Sequence, residues 1–87
     1  MAPLVVELLT RQDCGLCRRA RAALDQVARE RPLEIEERDI DADEALLREF
    51  HIRVPVVRLQ GTVLCEGVVT ADDVRATLRL AAGEAGR

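Results

Sequence analysis

The chain contains no Lys, Trp or Tyr, and Phe50 is its one aromatic residue. Without Trp or Tyr there is no flat platform on which bases or sugars could stack, so single-stranded nucleic acid is a poor fit as ligand. With one Phe, a core has to be packed from Leu, Val, Ile and Ala. All 13 basic residues are Arg, and against 16 acidic residues they leave a formal net charge of -3. Such a balance gives no general attraction to phosphate backbones or anionic membranes. The uniform choice of Arg reads as codon preference rather than as a binding surface. No apolar run approaches the ~20 residues of a membrane span. The short Leu4-Val5-Val6 stretch is broken by Glu7 and preceded by no basic segment. No secretory signal is therefore expected, and the cytoplasm is the expected setting.

What is present is 48% apolar and 33% charged, a globular composition over 87 residues. A chain this short buries only ~60–65% of its unfolded surface and supports one core. The expectation is a single domain over 1–87, with its folded part at about 4–82 and a frayed tail at 83–87.

Hydrophobic periodicity orders the elements. Leu4 to Leu9 reads as a strand buried on both faces. From Cys14 to Arg31, the residues Leu16, Ala20, Ala23, Leu24, Val27 and Ala28 recur at helical spacing, and Pro32 closes that helix. Leu33 to Glu36 alternates as a half-exposed edge strand would, and the pattern falters at Glu37-Arg38-Asp39. Asp41 and Glu44 have capping-box spacing and open a short helix to about Phe50 with Leu46, Leu47 and Phe50 on one face. Pro55 to Leu59 and Thr62 to Glu66 read as strands joined by a tight hairpin at Gln60-Gly61. Thr70 and Asp73 repeat the capping-box spacing before a last helix, Ala71 to about Ala82, with Val74, Leu78 and Ala81 inward. The order β-α-β-α-β-β-α predicts an α/β fold in which a four-stranded mixed sheet is flanked by three helices. Its first βαβ unit should be parallel with a right-handed crossover.

Cys14-Gly15-Leu16-Cys17 sits between the first strand and the first helix. A free thiol, with pKa ~8.5, holds little thiolate at neutral pH. A position at a helix N-terminus favours the anion, because unpaired N–H groups and the positive end of the helix dipole face it. Cys17, one turn on, lies on the same side and can attack a mixed disulfide formed on Cys14. Asp13 reads as the helix N-cap. Arg11, Arg18 and Arg19 could stabilise the thiolate or receive a substrate carboxylate, or be solvated surface charges.

This Cys14-Gly15-Leu16-Cys17 motif after a strand, with Val54-Pro55 at the start of the third strand, resembles the thioredoxin superfamily. The compact element order resembles its glutaredoxin-like branch over roughly residues 4 to 82. The resemblance implies a thiol-disulfide oxidoreductase. In it, Cys14 is the nucleophile and Cys17 resolves the mixed disulfide, reducing protein or low-molecular-weight disulfides without a bound cofactor. It also implies that Pro55 is the family's cis-proline beside the active site and that the Val54 backbone pairs with an extended substrate. The implied substrate contacts are Arg11, Leu16, Val54, Pro55 and Gly67. The implied reductant is glutathione, as co-substrate, or a protein of the thioredoxin-reductase type. The chain departs from the pattern in having Gly15-Leu16 where dithiol glutaredoxins have Pro-Tyr and thioredoxins Gly-Pro. Glu66-Gly67, with Asp72 and Asp73 further on, stands where a glutathione-binding Gly-Gly and acidic residues are usual. Leu8 takes the place of thioredoxin's buried carboxylate, and Glu7 is expected to face away.

Cys65, on the fourth strand, is either a small buried apolar residue or a regulatory third thiol. With Cys14, Cys17 and His51 it would also complete a ligand set of the types zinc prefers, though from separate elements. A reading of a different class is a non-catalytic thioredoxin-like module that docks partner segments at Val54-Pro55, with the thiols incidental or metal-bound.

Overall fold

The computed structural model describes residues 3–81 and 83. Its sheet is built around β1 (Leu4–Thr10). β2 (Leu33–Asp39) pairs with β1 in parallel, Val6 opposite Ile35, and β3 (Val56–Leu59) pairs with its other side antiparallel, Val56 opposite Leu9. β4 (Thr62–Glu66) closes the order β2-β1-β3-β4. Gln60 and Gly61 both have positive φ, 51° and 82°, the backbone of a type I′ hairpin turn, and the hairpin stands where the sequence places it.

Period-two alternation divides the sheet residues between two cores. Val6, Leu8 and Val57 face helix α1 (Gly15–Ala28) and helix α3 (Ala71–Ala81), meeting Ala20, Leu24, Val27, Val74 and Leu78. On the other face Leu9 and Val56 pack with Ile40 and with Phe50 from helix α2 (Glu44–Phe50). The central strand is thus buried on both sides in its second half only. Val5 is 41% exposed, and Glu7 turns away from the α1 side to pair with Arg58 and Arg38, both at 2.9 Å.

Several boundaries differ from the sequence expectation, each for a local reason. α1 ends at Ala28 instead of Arg31, because the amides of Glu30 and Arg31 both turn back to the Val27 carbonyl ahead of Pro32. Leu16, whose spacing groups it with the apolar residues of α1, is 39% exposed, and Cys17 at 4% takes the inward position. β2 runs on to Asp39 despite its charges, since its backbone stays in register with β1 up to Thr10. The helix that Asp41 was expected to cap is instead capped by Asp43, which accepts from the Leu46 amide at 3.1 Å. The delay arises because a 3-10 turn, Ile40–Ala42, intervenes under an Asp39 cap and buries Ile40 completely. The Thr70–Asp73 capping box forms reciprocally, at 3.1 and 3.3 Å. Ala81, expected inward, is exposed. The expectations for Ala82 and for 84–87 lie outside the described residues.

Leu24 is fully buried between α1 and the sheet, whereas Leu80 is 67% exposed. Leu24→Ala is expected to destabilise the fold by about 2–5 kcal/mol in urea denaturation, against less than about 0.5 kcal/mol for Leu80→Ala. Equal losses would contradict this placement of the core.

Candidate active site

β1 delivers the chain to a short loop, Arg11–Asp13, in which Asp13 adopts φ 57°, a left-handed conformation that Asp tolerates better than most residues. That turn sets Cys14, in extended conformation, at the N-cap of α1. The sequence expectation that Asp13 caps the helix is corrected here. Asp13 lies one residue before the cap, and it is the Cys14 Sγ that accepts the Cys17 amide, at 3.1 Å. The Cys14 carbonyl meanwhile accepts from the Arg18 amide at 3.2 Å. The first turn of α1 holds no acidic residue to oppose an anion there.

Cys14 and Cys17 are disulfide-bonded, with Cα atoms 5.2 Å apart. Cys14 is partly exposed and Cys17 buried. One sulfur is therefore open to an incoming reactant, and the other lies beneath it within bonding reach.

Val54 and Pro55 stand at the same end of the sheet. Val56 pairs with Leu9, which puts Pro55 one position beyond, toward the end of β1. The Val54–Pro55 peptide is cis and Pro55 is buried. Its carbonyl accepts the Gly67 amide at 2.9 Å. Gly67 has φ 77°, so this turn needs a residue without a Cβ.

A cavity of about 290 Å³ opens beside the two sulfurs on the side of β2. Its walls come from Thr10, Arg11 and Asp13, from Arg18 and Arg21 of α1, and from Glu37 of β2. Of the residues offered from sequence as thiolate or substrate contacts, Arg11 and Arg18 share this cavity with the cysteines. Leu16, Val54, Pro55 and Gly67 lie outside it. Sequence reading missed Thr10, Arg21 and Glu37. Arg21 pairs with Asp25 at 3.0 Å and Glu37 at 3.2 Å, a bridge to β2 that is visible only once the β1–β2 register is known. Desolvation pulls the Arg21 pKa down, but these two carboxylates outweigh it and the net shift is upward.

Arg11 itself is occupied. Its guanidinium spans both oxygens of Asp41, with Nη2 to Oδ1 at 3.0 Å and Nε to Oδ2 at 3.3 Å, and Nη1 donates to the His51 carbonyl at 3.4 Å.

Residues 5–79 match the Glutaredoxin-like domain (DUF836). The chain belongs to that family. A structural genomics target protein from X. campestris is 35% identical, with a TM-score of 0.73 over 86% of this chain and 96% of that one. A protein from Nitrosomonas europaea is 28% identical, with a TM-score of 0.75 over 87% and 92%. The thioredoxin of Fasciola hepatica, 21% identical with a TM-score of 0.61 over 91% and 81%, shares the fold. No curated protein matches the chain.

In this glutaredoxin-like domain the remaining cysteine stands apart from the pair. Cys65, on β4, packs against the core under α1 and α3, while His51 is exposed at the end of α2. Among the described residues no three His, Cys, Asp or Glu side chains converge as metal ligands. The four-ligand set drawn from Cys14, Cys17, Cys65 and His51 is not assembled. No helix is long and apolar enough to cross a membrane among the described residues.

Burial pushes the Cys65 thiol's pKa up and the Asp73 charge adds to it, while a hydrogen bond with Thr77 works against them. The folded state therefore holds this proton more tightly than the unfolded chain does. The resulting stability is full below the ordinary thiol pKa and is lost as pH rises from there through the raised folded-state value. In the native protein Cys65 is expected to react with iodoacetamide at least about tenfold more slowly than in urea at about pH 8. Equal rates would show a thiol open to solvent.

Proposed function

We propose that this glutaredoxin-like domain is a thiol-disulfide oxidoreductase that reduces disulfides of proteins or small molecules with the Cys14–Cys17 pair. The observation that carries the reading is the position of Cys14. It is the N-cap of α1, partly exposed, with its sulfur accepting a backbone N–H, and it is bonded to a buried Cys17 one turn along.

In the reduced protein the Cys14 thiolate attacks one sulfur of the substrate disulfide. The first substrate thiolate leaves and takes a proton from solvent, and a mixed disulfide remains on Cys14. Cys17 loses its proton and attacks the Cys14 sulfur. The second substrate thiolate departs, and the protein ends as the Cys14–Cys17 disulfide. Two electrons have passed to the substrate, and a thiol donor must return them. Glutathione or a thioredoxin-reductase-type protein is proposed in that role.

The proposed docking edge is Val54–Pro55, which lies beyond the Val56–Leu9 pair at the cysteine end of β1. Pro55 has no N–H and its carbonyl is taken by the Gly67 amide, and the Val54 backbone is proposed to pair with an extended segment. Leu16, exposed next to Cys17, offers an apolar surface beside the pair.

Reduced protein is expected to show a Cys14 thiolate with pKa below about 7.5, by its ultraviolet absorbance on titration. Cys14→Ser should abolish reduction of hydroxyethyl disulfide. Cys17→Ser should retain the first step and accumulate a mixed disulfide visible by mass spectrometry. Full activity in both variants, or a Cys14 that ionises like a free thiol, would remove the basis of the proposal.

A further inference from the structure

Arg11 stands three residues before the nucleophile, on the loop that presents it, yet its guanidinium points at neither sulfur. It reaches two fixed points elsewhere. Asp41 belongs to the 3-10 turn Ile40–Ala42, which is anchored by the fully buried Ile40. The His51 carbonyl belongs to the end of α2, anchored by Phe50, 1% exposed. From there the chain passes through Arg53, whose amide returns to the Phe50 carbonyl at 2.8 Å, to Val54 and Pro55. One side chain thus connects the Cys14 loop to the turn after β2 and to the segment carrying the Val54–Pro55 edge.

From this geometry we infer that Arg11 is a positioning residue. It is a clamp that sets the Cys14 loop against the Val54–Pro55 segment, acting through Asp41 and His51 instead of binding an anionic substrate. The inference deepens the oxidoreductase reading and rests on it. Exposed ion pairs usually contribute little, but a carboxylate held by two guanidinium nitrogens is the geometry in which they contribute most. The loop has need of such a tie. Arg11, Gln12 and Asp13 are all exposed, and Asp13 holds a left-handed backbone. Disulfide exchange requires three sulfurs nearly in line, so a small drift of Cys14 against the docking edge weakens the reaction more than it weakens the fold.

The two roles predict opposite results for Asp41. If Arg11 is a clamp, Asp41→Ala and Arg11→Ala each lower kcat/KM by about three- to fivefold with hydroxyethyl disulfide, an uncharged substrate, and the double variant is no worse than either. Arg11→Lys behaves like Arg11→Ala, because an ammonium cannot span Asp41 and the His51 carbonyl together. If Arg11 binds substrate charge, Asp41→Ala frees it, and activity toward glutathione disulfide rises while the neutral substrate is unaffected. A loss of thermal stability with unchanged kinetics would equally overturn the clamp, leaving Arg11 a fold contact only.

A second readout needs no turnover. Removing the Asp41 charge alone pulls the Cys14 pKa down, whereas loosening the cap pushes it up. The clamp requires an upward shift in Asp41→Ala, and a downward or absent shift overturns it. Wild-type protein with an ionised Cys14 but no exchange would defeat the oxidoreductase reading while this titration still decides the clamp.

Discussion

The bond between the Cys17 amide and the Cys14 sulfur is the contact on which the site depends. A helix start leaves backbone donors unpaired, and most helices satisfy one with a Ser, Thr, Asp or Asn side chain. Here a sulfur fills that place. The same donor that completes α1 is therefore placed to stabilise a thiolate on Cys14. Asp13, the residue better suited to an ordinary cap, lies one residue before it in a left-handed conformation and leaves the position to Cys14.

Everything around the cap restricts how the pair is approached. Cys17 points inward with the α1 stripe, so Cys14 is the more exposed of the two. The β3 segment brings Val54–Pro55 to the end of β1, and the Gly67 amide fastens the following turn to Pro55. On the opposite side the cavity toward β2 is lined by charges that are largely matched within the protein. Arg21 is held by Asp25 and Glu37, and Arg11 by Asp41. Arg18 lines the same wall beside those two occupied cations.

The second face of the sheet has a different character. Phe50 sits in the smaller core with Leu9, Ile40 and Val56, and the guanidinium groups of Arg53 and Arg58 lie 4.8 and 5.6 Å from its ring centre. Arg58 reaches Glu7, and Arg53 reaches Glu66. One aromatic ring under two cations, each tied to a strand carboxylate, covers a face that a seven-residue helix alone would leave thin.

Element order, the hairpin, the last capping box and the redox pair were legible in the residues themselves, because they rest on local rules. Alternation marks strands, the Gln60-Gly61 pair suits positive φ, and Thr70 with Asp73 satisfies each other's backbone over one turn. Family membership followed from the same local motif. Tertiary structure decided what local rules leave open. The 3-10 turn moved the α2 cap from Asp41 to Asp43, since burying Ile40 outweighs starting the helix two residues sooner. That shift freed Asp41 to meet Arg11 across 30 positions of chain. Which sulfur is open, which cations are already paired, and that Cys65 lies under α3 away from the dithiol are all long-range matters of register and packing. Sequence specifies the groups able to react; only the fold settles which of them have already been satisfied by one another.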